Sequence, residues 1–317
     1  MVLDACSLPE EIYIKIFGHL TISQLSVAST VCKTWSIHSL SLLYRCISIT
    51  TPSIWSHFVK YNLFQKHSLN CKELIIFSIN LSSSDKLLLL EYTKDLVHIA
   101  LLKCHNLDEA FLYELTRKHS STLERFTLWG PRTFESGVTT LTDKLLEPCL
   151  PNLLNVNHLS ICAANISDQF LLLIVSTLSD PNNIKPPSLI DLDLSECWKL
   201  SAFGVAELFS PDHLSSLKNL RLQYHEENTI DAEFLEFLAV TFPDHDFQFL
   251  ITKNYLRNKT LSKFDEICKK LDSLSIQKSN VLVEKRENVW MDHEILKRFN
   301  PLNHNNNNNN TTPSVLN

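Results

Sequence analysis

A pattern of the form Leu-x-x-Leu-x-Leu-x-x-Cys-x-x-Leu recurs through the middle of this chain and constrains its fold more than any other feature. Two copies are complete: Leu96, Ile99, Leu101, Cys104, Leu107, and then Leu189, Leu192, Leu194, Cys197, Leu200. Partial copies start at Leu74 (Phe77, Ile79), Leu123 (Phe126, Leu128), Val156 (Leu159, Ile161) and Leu217 (Leu220, Leu222), and a degenerate seventh ends in Phe247 and Phe249. The six starts lie 22, 27, 33, 33 and 28 residues apart. A unit of that length holds one short strand and a return segment, and cannot bury its apolar side alone. Neighbouring units must therefore stack as a solenoid and supply one another's core. Alternation sends the Leu and Ile side chains of each strand inward and the residues between them to the opposite, concave face. Amphipathic segments such as Asp108 to His119 return the chain on the convex side.

Composition removes several competing folds. The chain of 317 residues holds only 4 glycines, Gly18, Gly130, Gly137 and Gly204, so no GxGxxG, P-loop or GxSxG elbow can be written. Scarce glycine also argues against a barrel or sandwich built on many tight hairpins. With 29 Lys and Arg against 35 Asp and Glu, the net charge is −6, which is no footprint for nucleic acid or an anionic membrane. The longest apolar run, Phe170 to Val175, is far short of a bilayer span, and Met1 to Ser7 lacks a basic leader, so a soluble, unsecreted chain is expected. Nine cysteines without a CxxC pair suit neither a zinc ribbon nor a disulfide framework and read as reduced, buried residues. No HExxH or paired HxxH offers a metal site, and Asp244-His245-Asp246 reads as a polar turn. No cofactor and no catalytic constellation is expected.

The ends differ from the middle. Near the N-terminus, Ser7 can cap a helix whose first turn holds Pro9, Glu10 and Glu11, and Ile12, Ile16, Phe17 and Leu20 form its stripe. Leu25, Ala28, Val31, Cys32 and Trp35 repeat that logic. Such a unit seldom has an independent core, so its surplus apolar groups should seek a partner. Thr51 to Asn70, with Trp55, Phe58 and Phe64, reads as a helical linker. Insertions at Gly130 to Thr140 and Ser179 to Ser188 read as surface loops. After Thr252 the repeat fades, and the mixed-charge stretch to residue 302 is expected to form a helical cap. From Asn303 the chain, with six consecutive asparagines at 305–310, is expected to be disordered.

The order Leu8-Pro9-x-Glu11-Ile12, Ile16-Phe17-x-x-Leu20, Leu25, Val31-Cys32-Lys33-x-Trp35 and Leu43-Tyr44 closely resembles an F-box, covering about one-seventh of the chain. The repeats behind it resemble the cysteine-containing leucine-rich repeats found in F-box proteins. The resemblance implies an α+β solenoid organisation: an F-box at 7–50, a helical linker at 51–70, and a leucine-rich-repeat horseshoe at 71–251. A helical cap at 252–302 and the tail at 303–317 complete it. It further implies a non-catalytic substrate receptor of an SCF-type ubiquitin ligase in the cytoplasm or nucleus. The F-box would bind a Skp-type adaptor, and through it a cullin, while the repeats hold a protein substrate. The alternative is an F-box scaffold that binds the adaptor without forming a ligase.

Carried over position by position, the adaptor-facing residues would be Leu8, Pro9, Ile12, Ile16, Phe17, Leu20, Val31 and Trp35. The same residue types are also what the unit's own core would need. On the concave face, the strand columns read Ile76, Ser78, Asn80; His98, Ala100, Leu102; Arg125, Thr127, Trp129; His158, Ser160, Cys162; Asp191, Asp193, Ser195; Asn219, Arg221, Gln223. Arg125, Trp129, His158 and Arg221 are the candidate substrate contacts: an aromatic anchor with cations for an acidic or phosphorylated segment. Two readings stay open there: an insertion loop covering Trp129, and Asp191 or Asp193 simply pairing with Arg221. The acidic run Glu226 to Asp246 is either a solvated helix face or a site for a basic partner.

Overall fold

The structure is a computed structural model that describes residues 8–67, 70–131, 140–178, 180, 188–209, 216–223, 230–252, 269–270, 273 and 281–286. Three short helices open it: α1 (Glu10–Phe17), α2 (Ile22–Ala28) and α3 (Lys33–Leu43). Pro9 stands at the N-cap of α1 and Glu10 and Glu11 fill the first turn, complementing the helix dipole. Ser7, expected as the cap, lies outside the described residues. Thr21 and Gln24 form a capping box on α2. At α3 the Cys-x-x-Trp spacing has a local cause, because the Trp35 backbone N–H donates to Cys32 Sγ at 3.5 Å and so caps the helix. Tyr13, Phe17 and Leu25 make the small core of this unit, with Leu8, Leu20, Trp35, Leu42 and Leu43 packed against it.

Strand β1 (Cys46–Ile49) follows α3 directly and begins a parallel sheet that has nine strands among the described residues, in sequence order. Helices α4 (Pro52–Lys60) and α5 (Leu63–His67) come next, then alternating strands and helices. These are β2 (Glu73–Phe77), α6 (Ser83–Tyr92), β3 (His98–Leu102), α7 (Glu109–His119), β4 (Arg125–Trp129), α8 (Asp143–Leu146), β5 (His158–Cys162) and α9 (Asp168–Leu178). After them run β6 (Asp191–Asp193), α10 (Ala202–Glu207), β7 (Asn219–Gln223), α11 (Ala232–Thr241), β8 (Asp246–Thr252) and β9 (Val281–Arg286). A parallel-strand sheet with its helices gathered on one side is the arrangement that stacked repeats of strand and return segment require.

One continuous core fills the space between sheet and helices. The inward row runs Ile47, Leu74, Ile99, Phe126, Leu159, Leu192, Leu220 and Phe247, each the register partner of the next and each buried. Burying a side chain of this size contributes roughly 1.5–3 kcal/mol, so each strand added to the row stabilises its neighbour as well as itself. Cys104 and Cys197 close their turns from inside, their Sγ atoms donating to Ile76 O at 3.4 Å and Ile161 O at 3.0 Å on the preceding strand.

Three expectations change. The sheet starts inside the segment read as the box, and 51–70 forms two helices rather than one, with Trp55 and Phe64 in the main core. Pairing of Glu73 with His98 and Leu74 with Ile99 makes Cys71, not Leu74, the equivalent of Leu96, a shift of three residues. In the stretch expected to be a helical cap, β9 pairs with β8, and Phe247 faces Val281; residues 269–270 and 273 are helical. The Asn-rich tail and nearly all of both insertion loops lie outside the described residues, as do Glu226 and Glu227 of the acidic run. Within α11, Glu233 and Glu236 are exposed.

Candidate functional site

Two surfaces carry candidate residues. The first is on the helical unit, whose side chains divide sharply. Tyr13 and Phe17, one turn apart on α1, point inward. Tyr13 stacks on His38 with centroids 4.8 Å apart, and Phe17 meets Trp35 edge-on at 5.3 Å. Seven apolar side chains remain outside: Ile12, Ile14, Ile16, Ile22, Val27, Val31 and Ile37, between 38% and 67% exposed. For a unit of three short helices this is a large unpartnered apolar surface.

Of the eight residues expected to face an adaptor, Pro9, Ile12, Ile16 and Val31 are exposed, while Leu8, Leu20 and Trp35 are half-buried against the unit's core. Phe17 is corrected: at 1% exposure it belongs to the interior. Ile14, Ile22, Val27 and Ile37, not among those eight, are exposed on the same unit. For Ile14 the signal is that α1 is apolar almost all the way round, at Ile12, Tyr13, Ile14, Ile16 and Phe17, which a helix with one buried stripe does not need; Ile22 and Val27 lie on α2 and Ile37 on α3.

The second surface is the sheet face away from the helices. In β2 the outward set is Glu73, Ile75 and Phe77, partnered with His98, Ala100 and Leu102, instead of the expected Ile76, Ser78 and Asn80. Leu74, Ile75, Ile76 and Phe77 are all buried, so the strand has no polar side to betray its register. On this face Ile75, Phe77, Ala100, Leu102, Trp129, Cys162 and Ala163 form a second apolar cluster. Trp129 is fully buried within it and is no exposed anchor, which corrects its expected role.

Arg125 and His158 do come together, as register partners at the start of β4 and β5. Arg221 lies three strands from Arg125 and two residues further along its strand, where it faces Asp193 in register and donates to Gln248 Oε1. The four candidates are therefore not one site.

What surrounds Arg125 is a row of ionisable groups, one from each strand: Cys46, Glu73, His98, Arg125, His158 and Asp191. His98 Nδ1 lies 3.6 Å from Glu73 Oε2, and the imidazole beside it holds the Glu73 carboxyl below the usual range despite partial burial. Burial in turn holds His98 below the ordinary histidine range, which favours its neutral form. His158 Nδ1 pairs with Asp191 Oδ2, and Asn219 donates to Asp191 Oδ1. Burial opposes the charge on Asp191, but these partners and Arg125 prevail and hold its carboxyl low. Cys46, at the end of the row, is pushed up to about 12 chiefly by burial, so its thiol is inert.

Among the described residues, no group of three or more His, Cys, Asp or Glu side chains is placed to hold a metal, and no helix is long and apolar enough to cross a membrane.

Comparison with known proteins matches residues 5–50 to the F-box-like family. No curated protein matches the chain. Among solved structures, the crystal structure of the Rad7 and Elc1 complex in yeast aligns with 89% of this chain and 91% of its own. Its identity is 14% and its TM-score 0.37, too low to carry an argument. The exposed apolar helices and the family match cover the same residues: the chain carries an F-box-like domain at residues 5–50, within which the first of the nine strands of the parallel sheet among the described residues already lies.

Proposed function

We propose that this chain is a non-catalytic substrate receptor of an SCF-type ubiquitin ligase. Its F-box-like helices dock on a Skp-type adaptor, which links it to a cullin, and its strand-and-helix units, read as a leucine-rich-repeat horseshoe, hold the protein to be ubiquitinated. The observation that carries this reading is the division of apolar residues in the box. Tyr13, Phe17 and Leu25 form its interior with Leu8, Leu20, Trp35, Leu42 and Leu43 packed against them, and Ile12, Ile16 and Val31 are left facing solvent at positions the F-box resemblance assigns to the adaptor. An apolar surface of that kind gains free energy only by meeting another.

The receptor supplies position rather than chemistry. Because β1 follows α3 with only Tyr44 and Arg45 between them, the adaptor-bound box and the sheet are held close together, and a segment on the sheet would be presented at a limited range of distances from the transfer machinery. The test is reconstitution: purified chain, Skp-type adaptor, cullin and a ubiquitin-conjugating enzyme are mixed and transfer to captured proteins is read. The receptor reading expects transfer that is lost when the chain is omitted. Adaptor binding with no transfer to any captured protein would favour a scaffold.

A further inference from the structure

The row around Arg125 has a gap in its pairing. Glu73 lies beside His98 without a hydrogen bond and Asp191 pairs with His158, yet the half-buried guanidinium between the two histidines makes no hydrogen bond or ion pair among the described residues. Histidine 158 is half-exposed, and with its Nδ1 turned to Asp191 its Nε2 is left unpartnered. His98, almost fully buried on the other side of Arg125, also has an Nε2 without a partner.

We propose that Arg125 and His158 form a subsite for a single anionic group, a phosphoryl or carboxylate, on an extended segment lying across the sheet, and that occupancy draws a proton from solvent onto His158. Arginine offers a fork of donors suited to such oxygens. The histidine's part follows from its tautomer. With Nδ1–H donated to Asp191, a neutral ring presents a lone pair at Nε2, which would repel an anion on Arg125. A protonated ring presents an N–H donor instead.

Distance decides whether the site can be attractive at all. Neighbouring strands lie about 4.8 Å apart, so Glu73 and Asp191 are each about two strand spacings from Arg125 and the histidines only one. At that range the two carboxylates together offset much of the attraction of one guanidinium, and a charge gained on the nearer His158 tips the balance. Burial keeps His98 neutral, which makes it a positioning group that packs beside Arg125. Asn219 fixes the far side of Asp191, and the Cys46 thiol stays uncharged.

This inference rests on the receptor reading only for what the captured segment is; the anion site itself is measured without any adaptor. The probes are sulfate, a tetrahedral dianion standing for the phosphoryl group, and acetate, both of constant charge between about pH 6 and 8. Each is titrated into the full-length chain against chloride at equal ionic strength, with the ring resonance of His158 and the guanidinium resonance of Arg125 followed by NMR. The expected result is saturable binding at least about threefold tighter at the lower pH. Arg125→Gln should abolish it, and His158→Gln should leave weak, pH-independent binding. The buried His119 resonance reports that each variant is folded. Sulfate alone would assign a phosphoryl group, acetate alone a carboxylate. No response beyond chloride, or a response that survives Arg125→Gln, overturns the proposal.

Discussion

His119 shows how far a single buried group can tie this fold to its surroundings. Its ring is fully buried at the end of α7, where Nδ1 accepts the Leu96 backbone N–H at 3.3 Å and Nε2 lies 3.1 Å from Thr93 Oγ1, which itself donates to Leu89 O. Only the tautomer with its proton on Nε2 satisfies both contacts, so the folded chain requires a neutral ring. Burial, reinforced by Lys118, lowers its pKa from 6.5 to about 4. The folded value lies below the unfolded one, so the unfolded chain binds more protons between them. The stabilisation is complete above about pH 6.5 and is lost as pH falls toward 4. Its size is about 3 kcal/mol. Urea unfolding at about pH 7 and 4.5 should show that loss, and His119→Gln should flatten the slope in this window. The charge state of this residue is not legible in sequence, since His119 reads as one of three basic residues ending a helix and only packing shows which of them turns inward.

At the scale of elements, the repeats are stitched through their helix starts. Ser167 donates through its backbone N–H and hydroxyl to Asp143 in the first turn of the preceding helix, and Ser201 does the same to Asp168, at 2.8 and 2.6 Å. Gly204 sits over that second pair: a Cβ there would fall 2.2 Å from Asp168 Oδ1. Two effects compete in Gly204→Ala. Helix propensity gains about 1 kcal/mol, and displacing the carboxylate forfeits two hydrogen bonds to a charged group, about 1.5–3 kcal/mol each. The variant should therefore be destabilised by about 2–5 kcal/mol in thermal or urea unfolding, opposite in sign to the usual result for glycine in a helix. Registers were legible where a strand has one polar side, as in Asp191 and Asp193 of β6 or Asn219, Arg221 and Gln223 of β7. They were not legible in β2, where apolar residues run through both parities. Nor was β1, because Ile47 and Ile49 stand among residues that the F-box resemblance had already claimed.

For the whole molecule, the consequence is that box and sheet are one construction. The Tyr44 ring stacks on His67 with centroids 3.7 Å apart, and Tyr44 packs against the main core, so the chain passes from the box into the sheet without a free joint. The apolar side chains of α1 to α3 stay open to solvent in this architecture, and the receptor reading stands on their meeting an adaptor. Calorimetric titration of the purified chain with a Skp-type adaptor at several temperatures tests that most directly. The account predicts binding with a negative heat-capacity change, as burial of apolar surface requires. It also predicts that Ile16→Asp weakens binding by about 2 kcal/mol, roughly 30-fold, while leaving the unfolding temperature within a few degrees of the parent. A folded chain that does not bind the adaptor, or binds it equally well with Asp at position 16, would contradict it.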